Sequence, residues 1–318
     1  MHREISDSSV IVVRGGGHGH KRKHSLKSGS SVYHALRDTH NVHDLHIHAD
    51  GSSMAGGRKI SLQKILGSSA TIYNCLHGKA AGKLAKACSQ YGTAYSGNSH
   101  VHRARHHHTR PQNKHFKRHG IPTVNHWVLH KEDTTENKKM NNAIIRKLSY
   151  PMVVYELPEN FSRRQLVAED RPELEAILKQ VFPRQKRVFV QPAVSGKVFS
   201  AIVMPEFRSD SPYAFPKAQL KHEEDIANHI PEDRSYTHQH SRYDRAFHRF
   251  VRRVYKKADL HDLARIDVIK KRDGSLVLLD IETHPRLDRH SLLADSASEV
   301  GALLKNVYQK QVARARRR

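Results

Sequence analysis

The sequence predicts an α/β protein made of more than one sheet. Three observations carry this. The first hundred residues alternate apolar strand segments with helical ones, the pattern of a parallel α/β unit. Two later apolar runs, 264–269 and 275–281, meet across Asp273-Gly274, the turn chemistry of an antiparallel hairpin. Before them, Ser241–Leu260 places Phe247, Phe250, Val251, Val254 and Tyr255 on one helical face.

Taken in order, Ser8–Val13 reads as a short buried strand running into Gly15-Gly16-Gly17, a turn that needs residues without a Cβ. Ser25 is placed to cap a helix carrying Leu26, Val32, Tyr33 and Leu36. Leu45 and Ile47 alternate with histidines in a half-exposed strand ending at Asp50-Gly51. Ile60–Leu66 is a short helix, Ala70–Leu76 a strand and Gly82–Tyr91 a helix. The His-rich stretch 100–120 reads as a connection into a helix ending at Gly120. Pro122–Leu129 is extended, Thr134–Leu148 helical and Pro151–Tyr155 a strand, with an irregular turn after it. Asp170 caps a helix with Pro172 in its first turn. Arg187–Gln191 and Val198–Met204 read as a strand pair around Ser195-Gly196; residues 206–240 take no assignment. The last helix starts near Ser291 and is expected to fray into Arg314-Ala315-Arg316-Arg317-Arg318.

Composition narrows the function classes. The chain has 318 residues, room for two or three small domains. With 37% apolar and 27% charged residues it is globular rather than disordered. No apolar run is long enough to span a membrane, and no secretory signal is expected. Two cysteines, Cys75 and Cys88, make no disulfide framework, so a reducing, cytoplasmic setting is expected. The net charge is +24, and residues 51–131 contain no acidic residue. Such a field attracts polyanions, nucleic acid included, although no zinc-finger spacing or RNA-recognition aromatic motif is present.

The densest chemistry lies in the hairpin. Arg265 and Asp267 share one face of the first strand; Asp280 and Glu282 share one face of the second. Three carboxylates that close repel one another unless a cation lies between them, and oxygen ligands of this kind suit Mg2+ or Mn2+ with phosphates. Arg265 would then stabilise a developing anion. The alternative is a surface hairpin with alternating charges. The Gly15–Lys21 stretch suits an anion at a helix N-terminus, but matches neither the P-loop nor the dinucleotide spacing. His18, His20 and His24, and also His106, His107 and His108, read as solvent-facing rather than metal-binding. Cys75 reads as core.

At this point the chain resembles the D-alanine–D-alanine ligase family over nearly its whole length. VVRGGGHGHKRKHSLKSGSSVYHAL, NCLHGKAAG with YGTAYSG, HGIPTVNHW, and above all ARIDVIKKRDGSLVLLDIETHPRLDRHSL follow that family's blocks in order and spacing. The resemblance implies an ATP-grasp fold. It divides the chain into an N-terminal parallel α/β domain (1–99), a small central α+β domain (100–186) and a C-terminal α+β domain (187–318). It also implies ATP, two Mg2+ ions, an acyl-phosphate made from the first D-alanine, a role in peptidoglycan precursor synthesis, and a homodimer.

Carried over residue by residue, the resemblance puts Asp267, Asp280 and Glu282 at metal positions and Arg265 at the arginine that stabilises the tetrahedral intermediate. It puts His77, Gly78, Ser291 and Leu292 around the substrates, and Gln191, Pro192 and Val194 against the nucleotide. Several positions depart from the family. Lys21 stands where a glutamate holds the first substrate's ammonium. Thr109 and Tyr155 stand where lysines grip phosphates. Gln191 and Val198 replace nucleotide-binding glutamates, and Arg286 replaces an oxyanion-region glycine. Pro158–Ser162 lacks the glycines of the phosphate loop, the lid's Lys-Tyr pair falls near Gln219 and Leu220, and Lys79–Gly82 is a shortened loop. Lost charge-assisted contacts of this kind weaken nucleotide binding steeply. The resemblance therefore implies a ligase-like protein of impaired or altered activity. The alternative is an inactive paralogue that binds anions or nucleic acid through its basic surface.

Overall fold

Three sheets organise the chain, which a computed structural model describes over residues 6–99, 115–133, 135–156, 165–220, 236–237 and 244–318. In the first sheet, β1 (Ser9–Gly15) lies between β2 (Asn41–Ile47) and β5 (Thr71–Asn74), parallel to both. A small antiparallel extension, β3 (Ser53–Ala55) and β4 (Arg58–Lys59), follows the Asp50-Gly51 turn. The connecting helices are α1 (Gly19–Leu36), α2 (Leu62–Leu66) and α3 (Gly78–Tyr91). β1 is buried on both faces, as a central parallel strand must be. Val10 and Val12 enter one core and Ile11 and Val13 another, the two-residue alternation of a strand.

The second sheet is antiparallel, in the order β6 (Trp127–His130), β9 (Arg187–Pro192), β7 (Met152–Tyr155), β8 (Gln165–Ala168). It is covered by α4 (Thr135–Ile145) and α5 (Arg171–Val181), which supply Ile145, Leu174, Leu178 and Val181 to its core. Asp170 caps α5 as expected, accepting from the Glu173 amide at 2.9 Å.

The third sheet is built on β10 (Lys197–Met204), β14 (Ala264–Lys270) and β15 (Leu276–Glu282), with the short strands β11 (Tyr213–Ala214), β12 (Ala218–Leu220) and β13 (Tyr236–Thr237) beyond β10. One face carries α6 (Arg245–Lys257), whose Phe247, Val251, Val254 and Tyr255 pack with Ala201 and Val203 of β10. The other carries α7 (Leu292–Glu299) and α8 (Leu304–Arg316). There Ile202 and Met204 share a core with Val10 and Val12 of the first sheet and with Val307, Tyr308 and Val312 of α8. That shared core places the loops of the first sheet beside the β14–β15 hairpin.

Four readings of the sequence are corrected. Ser25 does not cap α1: the helix begins six residues earlier, and the buried Ser25 hydroxyl accepts from the Gly15 amide at 2.9 Å, tying the glycine turn to the helix. Gly15 (φ +89°) needs this backbone freedom, since a Cβ there would lie 2.3 Å from the Ile47 carbonyl. β9 and β10 do not pair; the chain crosses between them from the second sheet to the third. The C-terminal segment splits into two helices rather than one. Its arginines do not fray either. Arg316 donates to the Ser8 carbonyl at 2.7 Å and to the Thr71 hydroxyl at 3.1 Å, Arg317 reaches Glu206 at 2.8 Å, and Arg318 donates to the Tyr95 carbonyl at 2.9 Å. The cations at this helix C-terminus complement the dipole and are held by carbonyls of the N-terminal unit, at Ser8 and Tyr95.

Candidate functional site

The hairpin delivers its four charged residues as pairs. In the β14–β15 register Arg265 faces Glu282 and Asp267 faces Asp280, with a bulge between Asp267 and Val268. Within β14, Arg265 donates twice to Asp267, Nε to Oδ1 at 3.0 Å and Nη2 to Oδ2 at 3.3 Å. Ser200, across on β10, donates to Asp267 Oδ1 at 2.7 Å. Asp267 is fully buried. A second pair of the same form follows the hairpin. Arg286 Nε and Nη2 each reach Asp288 at 2.9 Å, and the Asp288 carboxyl, although penalised by burial, is held below its usual range by that arginine.

The first sheet brings its own residues to this place. His77 ends the turn after β5 and Gly78 begins α3. Gly78 has φ +61°, and a Cβ there would meet Lys21 Cδ at 2.8 Å, so the Lys21 side chain runs across the start of α3. His24 of α1 meets His77 edge-on, ring centres 6.1 Å apart. Burial pushes the His77 imidazole down to about 4; Glu282 of the hairpin opposes this, while His24 and Arg286 add to it. Together with Gly97, Thr283, His284 and Leu287, His77 lines a small cleft between the first and third sheets.

The predicted residues therefore fall into different roles. His77, Gly78, Lys21, Glu282 and Arg286 converge. Ser291 caps α7, its hydroxyl accepting from the Ala294 amide at 3.3 Å. Leu292 is buried in the core. Gln191 lies on β9 and donates to the Tyr155 hydroxyl on β7. Pro192 pairs with Met152 in the same sheet, and Val194 packs beside Val198, Leu220 and Ile269. Gln219 and Leu220 lie on β12. Thr109 and Pro158–Ser162 lie outside the described residues. His18 and His20 are exposed, as expected, whereas His24 is half-buried against His77; His106, His107 and His108 lie outside the described residues, and Cys75 is buried.

As placed, the hairpin carboxylates are not gathered into a cation site. Both oxygens of Asp267 are engaged by Arg265, and among the described residues no group of three or more His, Cys, Asp or Glu is gathered to hold a metal ion. Nor do Tyr155 and Gln191, bonded to each other, offer a cation to a phosphate or a carboxylate to an adenine.

Sequence reasoning missed two groups. Asn98, fully buried, accepts from the His261 and Asp262 amides and donates to the Leu263 and Thr283 carbonyls, clamping the loop after α3 to both ends of the hairpin. Asp262 in turn accepts from Gly97 and from Gln311 of α8. The one available signal was an acidic residue set between Leu260 and Leu263. Lys217, nearly buried, bonds Asp244 at 2.7 Å and lies 4.6 Å above the Phe199 ring. Nothing in its local sequence distinguishes it.

Comparison with known proteins agrees with this geometry at the level of fold. Residues 115–312 match the family described as D-ala D-ala ligase C-terminus. A D-alanine–D-alanine ligase of Chromohalobacter salexigens is 22% identical over 298 residues, covering 92% of this chain and 89% of that protein. The ligase of Actinobacillus succinogenes is 23% identical, covering 94% and 95%. Among solved structures, the VanG D-Ala:D-Ser ligase from Enterococcus faecalis superposes with a TM-score of 0.77 at 15% identity, covering 97% of this chain and 99% of that one. The Bacillus anthracis D-alanine–D-alanine ligase complexed with ATP gives 0.73 at 18% identity, covering 98% and 99%. The architecture is the ATP-grasp fold of these enzymes, and the chain belongs to the D-alanine–D-alanine ligase family.

Proposed function

We propose that this chain is a ligase-like ATP-grasp protein in which ATP-dependent joining of a carboxylate to an amine is impaired or altered. One observation carries the reading: Asp267, the central carboxylate of the hairpin, is bound by Arg265 and Ser200 instead of standing open to a cation. Two others support it. Lys21 lies across Gly78, bringing a positive charge to the subsite where the family resemblance places an ammonium. Tyr155 and Gln191 satisfy each other at positions where it places groups for ATP. The substrate class remains that of the family, a small amino or hydroxy acid of the D-alanine kind used for peptidoglycan precursors. A cytoplasmic homodimer goes with the same reading.

The test is calorimetric titration of Mg2+-ATP with and without D-alanine, followed by a dipeptide assay on the same folded sample. We expect no heat at millimolar ATP and no dipeptide. Micromolar binding that tightens with D-alanine would overturn the reading and return the chain to the working ligases. Each lost charge-assisted contact is worth about 1.5–3 kcal/mol, so several together remove orders of magnitude in affinity.

A further inference from the structure

The basic character of the chain has a structural focus away from the hairpin. α6, RAFHRFVRRVYKK, holds six Lys and Arg residues and no carboxylate. Its apolar face is consumed by the core, through Phe247, Val251, Val254 and Tyr255. Arg245, Arg249, Arg253, Lys256 and Lys257 are all exposed on the other side. Residues i, i+4, i+8 and i+11 share a helical face, so Arg245, Arg249, Arg253 and Lys256 form one stripe. Asp244, the carboxylate at the start of the helix, is already taken by Lys217 and Lys270. The next carboxylate along the chain is Asp259, beyond the end of the helix. The stripe is widened by the helical turn at 115–118, where Lys117 and Arg118 are exposed. That turn is fixed to α6, since Arg253 donates to the His119 carbonyl and Phe116 is buried in the same core.

The geometry points to a docking surface for double-helical nucleic acid along α6, contacting the phosphate backbone without reading bases. From Arg245 to Lys256 the stripe is about 17 Å long at 1.5 Å per residue. One strand of a duplex carries a phosphate per ~3.4 Å of axis, so roughly five phosphates lie alongside. An anionic membrane fits less well: interfacial helices insert an apolar face between lipids, and the apolar face of α6 is already packed. Single strands also fit less well. Their binding sites stack bases on exposed rings, whereas Phe247 and Tyr255 are buried and Phe250 packs against the core. The inference is independent of the ligase reading, because none of these residues belongs to the hairpin cleft.

The experiment measures fluorescence anisotropy of a labelled 24-base-pair duplex with the full chain at 50, 100 and 200 mM salt. Five phosphate contacts predict an affinity loss of about 500-fold across that range. The variant Arg245→Glu, Arg249→Glu, Lys256→Glu should lower the salt slope by about 2.7 and bind at least tenfold more weakly at 50 mM. A control of equal charge change on α2 and α3, Lys64→Glu, Lys83→Glu, Lys86→Glu, should bind as the parent does. Protection of Lys256 and Lys257 from acetylation by the duplex, read by mass spectrometry on the unaltered chain, gives the answer should the first variant fail to fold. Equal weakening by both variants, no protection of those lysines, no binding at 50 mM salt, or binding to phosphatidylglycerol vesicles without binding to the duplex would each overturn the proposal.

Discussion

Arg265 and Asp267, two residues apart on β14, close a two-point ion pair around a carboxylate that solvent does not reach. Removing the arginine strips that buried carboxylate of its charge partner on β14 and leaves the Ser200 hydroxyl still donating to it. Breaking such a pair from one side costs about 3–5 kcal/mol. Arg265→Ala is therefore expected to lower the urea midpoint strongly, and Arg265→Lys to fall between, since an ammonium cannot make the bidentate contact. A midpoint unchanged in Arg265→Ala would show that the pair does not hold the hairpin.

The Lys21 side chain across Gly78 makes a prediction about ligand charge. Lys21→Glu is expected to give the protein measurable heat with millimolar D-alanine, absent from the parent. Gly78→Ala, by contrast, forces a side chain at φ +61° into Lys21 and should cost about 1–2 kcal/mol. If Lys21→Glu gives no heat with D-alanine, this lysine does not set the preference of the subsite.

Asn98 bonds groups on both sides of the hairpin, and its replacement by alanine leaves the buried Asp262 amide, the half-buried His261 amide and at least two carbonyls without it. Buried unsatisfied groups cost about 1–3 kcal/mol each before relaxation. Asn98→Ala is expected to lose about 3 kcal/mol or more, read as a shift in the denaturation midpoint. Asn98→Asp should be nearly as costly, because a carboxylate donates nothing to the Leu263 and Thr283 carbonyls.

Stability should fall as the pH drops from about 6.5 to about 4. Burial lowers the His77 pKa to about 4, so below the ordinary histidine value the unfolded chain takes up a proton that the folded chain refuses. Stability from this group is complete above pH ~6.5 and declines toward pH ~4. His24, His40 and His248 are lowered as well, burial being the leading cause in each, and act in the same direction. Asp244 adds a separate loss at lower pH. Burial opposes its charge, but hydrogen bonds from Lys217, the Phe247 amide and Lys270 hold its pKa well below the carboxylate range, and its contribution disappears as pH falls below about 4. Urea midpoints at pH ~7 and pH ~5 should differ less in His77→Gln than in the parent; an equal difference would remove His77 as a source.

The sequence by itself determined the local elements and the family blocks. The apolar run Val10–Val13, the Asp170 cap and the Asp273-Gly274 turn each act within a few residues, so local pattern alone places them. It also put Arg265 with Asp267, and Asp280 with Glu282, on one face of each strand; which of them stand opposite one another was set by the bulge between Asp267 and Val268, which shifts the register running back from the turn. What Asp267 does there was decided by tertiary structure: Ser200 comes from a strand sixty-seven residues earlier, and the choice between cation site and ion pair rests on side-chain placement. Tertiary packing also moved the start of α1, by giving Ser25 the Gly15 amide instead of a cap, and it docked the terminal arginines onto carbonyls of the first sheet. Asn98, Asp262 and Lys217 take their roles from partners far along the chain, beyond the reach of any local pattern. Periodicity and turn chemistry are short-range, whereas burial, charge pairing and hydrogen-bond satisfaction depend on which distant segments meet.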